Sequence, residues 1–229
     1  VAALPSAPDA KGEAVAGVPG LRGATVEAEV NPKGGQASLS VQRGAVEFPG
    51  VFEQPSIEVA DLTATAHWRV DGEHLALTVD DLRLTNADAT GSFKAQWTTG
   101  DGQAVPRFPG VLDLQGAFSR ANGASVHRYL PLAIPADARH YVRDAIVKGE
   151  VRDVSVRVKG DLRHVATHNP PPGTEFRIAG QTQGVTMAYV PRAIQPAGQP
   201  PWPALEDLSG ELIFEHSSMR IRDARGRVQ

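Results

Sequence analysis

Cysteine is absent from the 229 residues, and aromatic residues make up only 6% of them. Without cysteine no disulfide pattern marks a compartment, and thiolate metal sites and thiol catalysis are excluded. So few aromatics argue against a surface that stacks sugars or bases. An excess of one charge is also missing. Lys and Arg number 23 against 26 Asp and Glu, a formal net charge of −3, which gives no electrostatic basis for binding nucleic acid. No run approaches the ~18 apolar residues of a membrane span, and no signal peptide is visible. The chain opens on Val1 and closes on Gln229 inside an alternating stretch, so it reads as a fragment. Any anchor or targeting signal is expected outside it.

What is present is alternation. Hydrophobic residues make up 41%, enough for the core of one large all-β domain or two small ones. Val26, Ala28 and Val30 alternate with Glu27 and Glu29, and Ala37, Leu39 and Val41 answer after a polar loop over residues 31–35. Leu62, Ala64, Ala66, Trp68 and Val70 share one face, with Thr63, Thr65, His67 and Arg69 on the other. After Asp71-Gly72 come Leu75, Leu77 and Val79, an interruption at Asp80-Asp81, and then Leu82 and Leu84. Phe93, Ala95 and Trp97 form a further strand, and Leu112, Leu114 and Phe118 another. Residues 105–109 read as a Pro-interrupted connection. Later, Phe176 with Ile178 reads as one strand and Val185, Met187 and Tyr189 as the next. A Pro-rich loop over 191–203 precedes Leu208, Leu212 and Phe214, and after a turn at 216–218 Met219 and Ile221 return. The words Asp61-Leu62-Thr63-Ala64, Asp113-Leu114-Gln115-Gly116 and Asp207-Leu208-Ser209-Gly210 form a weak repeat, each read as opening a strand.

One segment breaks the pattern. Across residues 135–148, Ala138, Tyr141, Val142, Ala145 and Ile146 fall on one stripe of a helix. Pro135 suits the first helical position, Asp137 the first turn, and Lys148-Gly149 the stop. From Val151 the period is two, with Val154, Val156 and Val158 on one face. The chain divides accordingly into a β-meander section over 1–125, a helical insert with its following strand over 126–160, and a β section over 161–229.

Strand after strand is apolar on one face and polar on the other, and a 14-residue helix is too short to cover about ten strands at ~4.8 Å each. The apolar face is then buried against itself in a sandwich or barrel, or left as a trough in a curved sheet. Periodicity leaves both open.

Chemistry has little foothold. His164 and His168 have the spacing of a helical zinc pair, but Asn169-Pro170 follows at once and no glutamate lies between them. His67, His74, His127, His140 and His216 are scattered over polar-face and turn positions. Asp71, Asp80 and Asp81 sit at strand ends, where carboxylates are common, so they make a poor glycosidase pair. The glycine-rich run over 17–23 precedes a strand, not a helix, and is no phosphate cradle. Arg139, Arg143 and Lys148 have the reach to touch lipid phosphates, although a solvated polar face suits them better. Neither an enzyme nor a cofactor is expected.

Two patches carry a resemblance. The first is Arg128-Tyr129-Leu130-Pro131, the helix, Gly149-Glu150-Val151 with the valine strand, and Lys159-Gly160-Asp161. The second runs from Trp202 to Glu215 (WPALEDLSGELIFE) and on through Met219-Arg220-Ile221 to Ala224-Arg225-Gly226. Together they resemble the YhdP branch of the AsmA-like proteins. That resemblance implies the periplasmic portion of a single-anchor inner-membrane protein of a Gram-negative bacterium. It further implies an elongated, curved, mostly antiparallel sheet with a hydrophobic groove for phospholipid in transit between inner and outer membranes, in support of the outer-membrane barrier. Its implied partners are phospholipid, the envelope membranes through parts outside this stretch, and unidentified envelope proteins, with no nucleic acid. The expected groove lining is Leu62, Trp68, Leu75, Leu77, Leu114, Phe118, Val156, Phe176, Ile178, Leu212 and Phe214, with Tyr141, Val142 and Ile146 on a gate or brace helix. A non-catalytic β-sandwich scaffold or interaction module is the alternative.

Overall fold

A computed structural model describes residues 2–7, 17–103, 107–132, 134–165, 167, 169–216 and 218–228. Ten strands form one open antiparallel sheet in strict sequence order. They are β1 (Gly20–Asn31), β2 (Gly34–Glu47), β3 (Ser56–Asp71), β4 (His74–Thr85), β5 (Ala89–Thr98), β6 (Val111–Asn122), β7 (Ile146–Asp161), β8 (Glu175–Ala188), β9 (Ala204–Glu215) and β10 (Ser218–Val228). β1 and β10 do not pair with each other, so the sheet is neither a sandwich nor a closed barrel. The fold is the curved antiparallel sheet of repeated meanders, and the sandwich alternative is overturned.

Register explains how the alternation adds up. Val26, Leu39, Ala64, Leu82, Phe93, Gly116, Val156, Ile178, Phe214 and Met219 are successive cross-strand partners, one unbroken row from edge to edge. Flanking rows repeat it. Ala37, Ala66, Val79, Ala95, Leu114, Val158 and Phe176 form one, and Val41, Leu62, Leu84, Gly91, Phe118 and Val154 another. Because side chains alternate with period two, every member of these rows faces the same side. The opposite side carries Thr63, Arg83, Ser92, Gln96, Asp113 and Lys159.

The strands bend. Gly23, Arg43, Asp153, Gly184, Asp207 and Asp223 have φ between 49° and 69°, and the pairing register shifts beside most of them. An extra residue in the left-handed region makes a bulge that turns its strand, and Asp tolerates that conformation better than most residues. Two of the Asp-Leu words therefore sit inside strands rather than opening them: Asp61 within β3, and Asp207 within β9 at φ 50°.

Other local expectations are also corrected. The loop between β1 and β2 is the two residues Pro32-Lys33, not five. Phe176 through Met187 belongs to one strand, β8, which bends at Gly184 instead of breaking. The α-helix is α1 (Ala136–Ala145), with Pro135 as its N-cap. Ile146 already pairs with Met187 and Lys148 with Thr186, so sheet pairing takes over three residues of the expected helix and extends β7 back from Val151. A 3-10 turn, η1 (Gly123–Tyr129), precedes α1 and was not expected; Asn122 caps it by accepting from the Ala124 amide. Residues 8–16, Val105, Pro106, His168 and Ser217 lie outside the described residues.

Candidate functional site

The rows make a trough whose floor is apolar across all ten strands. Burial along it is uneven. Val156 in the middle is 9% exposed, whereas Val26 and Met219 at the two edges are 50% and 55% exposed. Val154, Val156 and Val158 form the central cluster with Phe93, Leu112, Leu114 and Phe118 around it. The β7–β8 connection folds back over this cluster through Leu162 and Val165, and His216 Nδ1 donates to the Val165 carbonyl at 2.9 Å. A second cluster of Val41, Val46, Val59 and Leu62 lies toward β1.

Large rings and cross-strand glycines alternate on the floor. Trp68 pairs with Gly35, Phe118 with Gly91, and Phe93 with Gly116. A Cβ at Gly91 would lie 2.6 Å from Phe118 Cδ1, and one at Gly35 2.6 Å from Trp68 Cζ2. Each ring lies over the backbone of its glycine and occupies the space where a side chain is missing. Phe93 and Phe118 then meet edge to face at 4.9 Å.

The polar side is laced by ion pairs. Arg157 bridges Asp113 and Glu175, and its guanidinium, by hydrogen bonding, holds the Asp113 carboxyl below the usual carboxylate range. His67 meets Asp80 at 3.0 Å. These pairs are exposed and keep that surface wet.

One rim of the trough carries an added structure. The β2–β3, β4–β5, β6–β7 and β8–β9 connections all lie at the same ends of the strands. The β6–β7 connection, residues 123–145, contains η1 and α1 and runs along this rim. Phe52 forms a bridge with Pro131, and the Leu132 amide donates to the Val51 carbonyl at 2.8 Å. The chain has thereby gone back from β6 to the start of β3, three strand spacings or ~14 Å. The return to β7 is four spacings, ~19 Å, of which the ten residues of α1 supply ~15 Å at the helical rise. Tyr129 fixes the segment by donating to Asp88 Oδ2 at 2.8 Å and accepting from Asn86 Nδ2 at 3.0 Å. Burial, then the Asp88 hydrogen bond, push the Tyr129 hydroxyl above its usual pKa. Arg128 closes the cluster with a 2.7 Å bond to Asp88.

All eleven expected lining residues fall on the apolar side. Leu62, Trp68, Leu77, Leu114, Phe118, Val156, Phe176, Ile178 and Phe214 sit in its cross-strand rows, Leu75 is two residues from Leu77, and Leu212 two from Phe214. Leu82, Phe93, Val154 and Val158 belong to the same floor, and only pairing register reveals how central they are. On the rim, Tyr141 donates to the Tyr189 carbonyl at 3.0 Å, Val142 is half-buried, and Ile146 has left the helix for β7. Arg139, expected on a solvated face, is instead 8% exposed. His164 is half-buried, and His168, four residues on, lies outside the described residues. Among the described residues no three His, Cys, Asp or Glu side chains cluster so as to hold a metal ion, and no helix is long and apolar enough to cross a membrane.

The described residues thus define a class by fold, the open, one-layer antiparallel β-trough with an apolar floor and a charged back. The chain belongs to the YhdP family: the model of that family, described as YhdP protein, matches residues 8–229. The family is associated with the bacterial envelope, and membership points to a lipid-transport type of function. Neither the curated proteins nor the solved structures gave a match.

Proposed function

We propose that this chain is a section of a phospholipid conduit. Its trough shelters acyl chains in transit through the periplasm between inner and outer membranes, and so supports the outer-membrane barrier. The observation that carries this reading is the apolar row crossing every strand, with no second sheet over it among the described residues. Each CH₂ exposed to water costs ~0.8 kcal/mol, so two ordinary acyl chains cost over ~20 kcal/mol to move unsheltered. The sheet spans nine strand spacings, ~43 Å, against the ~15 Å that one leaflet allots an acyl chain. A tail therefore fits along the floor while its headgroup stays in water at a rim. Sliding along such a floor needs no nucleophile, metal or cofactor, and the proposed function is non-enzymatic.

The test is the lipid content of the protein purified from an envelope-containing host. Phospholipid is expected to co-purify, and Ala64→Glu, which puts a charge on the floor, is expected to remove most of it without unfolding the sheet. Folded protein that carries no lipid, and gains none from vesicles, would overturn the reading.

A further inference from the structure

The rim segment carries a feature that the trough does not need. Glu53, His127, Arg128, Arg139, His140 and Arg143 line a cleft of about 60 Å³ between the β2–β3 connection and α1. Its arginines are held in place mainly by partners outside it; Arg128 Nε also donates to Gln54, which lines the cleft, at 3.0 Å, and Arg143 Nη2 to Asp144 at 3.1 Å. Arg128 is fixed through Nη1 by Asp88 at 2.7 Å, and Arg143 through Nε by Asp144 at 2.8 Å. Arg139 Nη1 donates to the carbonyls of Leu132 and Ile134. Within the cleft, Glu53 supplies the one carboxylate, and the hydrogen bond from His140 holds it below its usual range. Arg139 is nine-tenths buried, yet its Nε makes no hydrogen bond; Glu53 Oε2 stands off at 3.6 Å. A buried guanidinium N–H without an acceptor is costly. Three pinned guanidinium groups on one cleft, with the Arg139 Nε–H buried and unpaired, suit a tetrahedral oxyanion.

We infer that this cleft binds a phosphate group, and that the phosphate is the headgroup of a lipid whose tails lie in the trough. The second half rests on the function proposed above. Its structural support is adjacency. Phe52, next to Glu53, meets Phe48 edge-on at 5.8 Å, and Phe48 packs on the apolar cluster of Val41, Val46, Val59 and Leu62. One step along the chain thus leads from the floor to the cleft. The source of the phosphate is set by chemistry: a lipid offers a phosphodiester, a free ion a phosphomonoanion or dianion.

The experiment follows the arginine Nε–Hε resonances of the 229-residue protein while glycerophosphoglycerol, a tail-less phosphodiester, or inorganic phosphate is added. The diester is expected to shift the Arg139 and Arg143 signals. Arg143→Gln is expected to weaken its binding about tenfold, the loss of one charge-assisted hydrogen bond, while leaving the remaining spectrum in place. Arg139→Lys is the harsher variant, because it also releases the two carbonyls. Shifts from inorganic phosphate alone would keep the anion site and overturn its link to lipid. No shift from either compound at millimolar concentration would overturn the site. The failures are distinguishable: a silent cleft with lipid still co-purifying removes only this inference, and a responsive cleft on a lipid-free trough removes the conduit and the headgroup assignment but keeps the anion site.

Discussion

Single residues decide whether the floor is continuous. The pairing of Phe118 with Gly91 leaves no room for a side chain on the glycine, whose Cβ would also lie 2.6 Å from the Ala117 carbonyl oxygen. Gly91→Val is expected to cost ~1–3 kcal/mol through overpacking, read as a lower urea midpoint at unchanged slope. The end of β7 supplies a pH-dependent residue. Hydrogen bonding from Arg163 draws the Asp161 pKa down from 3.8 to about 2. A carboxyl whose folded pKa is depressed adds stability above its unfolded pKa, and that stability is lost as pH falls through the folded value. Acid unfolding between about pH 4 and pH 2 is thus expected to be shallower in Asp161→Asn, measured by circular dichroism. Alternation made the faces of Leu77 and Val156 legible in the sequence. The ring-on-glycine pairs were not, because they depend on which strands meet in which register. Arg139 misled for a related reason: its position on the helix reads as polar surface, but the carbonyls that bury it come from Leu132 and Ile134 in the preceding turn.

At the scale of elements, the rim segment is held chiefly by polar contacts. α1 has ten residues, too short to persist alone in water. It packs on η1, β7 and β8, and the Tyr129–Asp88–Arg128 cluster ties it to the β4–β5 turn. Tyr129→Phe takes one donor from a nearly buried carboxylate and is expected to cost ~1–3 kcal/mol. Amide exchange should then speed up across residues 123–145 more than in β5 or β6, and uniform acceleration would contradict the segment's independence. Tyr141→Asp distinguishes a gate from a brace. A folded sheet with a more labile rim identifies a gate, and loss of the sheet identifies a brace. The sequence announced the helix by its stripe and its start by Pro135. Its end was hidden, because Ile146, Val147 and Lys148 continue the helical stripe and basic last turn equally well, and the contest is settled by β8, which offers Met187 and Thr186 as partners. Of the Asp-Leu words, only that at Asp207 is a positive-φ corner, one it shares in kind with Asp153 and Asp223, and this is legible only once these aspartates are seen inside their strands.

For the whole molecule, ten strands in sequence order, with β1 and β10 not paired to each other, make a sheet that bends without closing. The one-sided pattern was visible in the sequence; the choice between a sandwich and a trough was not, because both bury one face and wet the other. What separates them is pairing order over the full length, which keeps all ten strands in one sheet and leaves the row exposed at Val26 and Met219 while Val156 in its middle is buried. β10 is exposed at every described position and carries Arg220, Arg222, Arg225 and Arg227, charges that discourage uncontrolled edge pairing. The central claim is that the apolar side holds acyl chains. Its most direct measurement is site-specific photo-crosslinking in cells, with the probe placed at Leu77 or Val156 on the floor and at Thr78 or Arg157 on the back. Phospholipid adducts are expected from positions 77 and 156 and none from 78 and 157. An absence of adducts from every floor position, or equal yields from both sides, would contradict the claim.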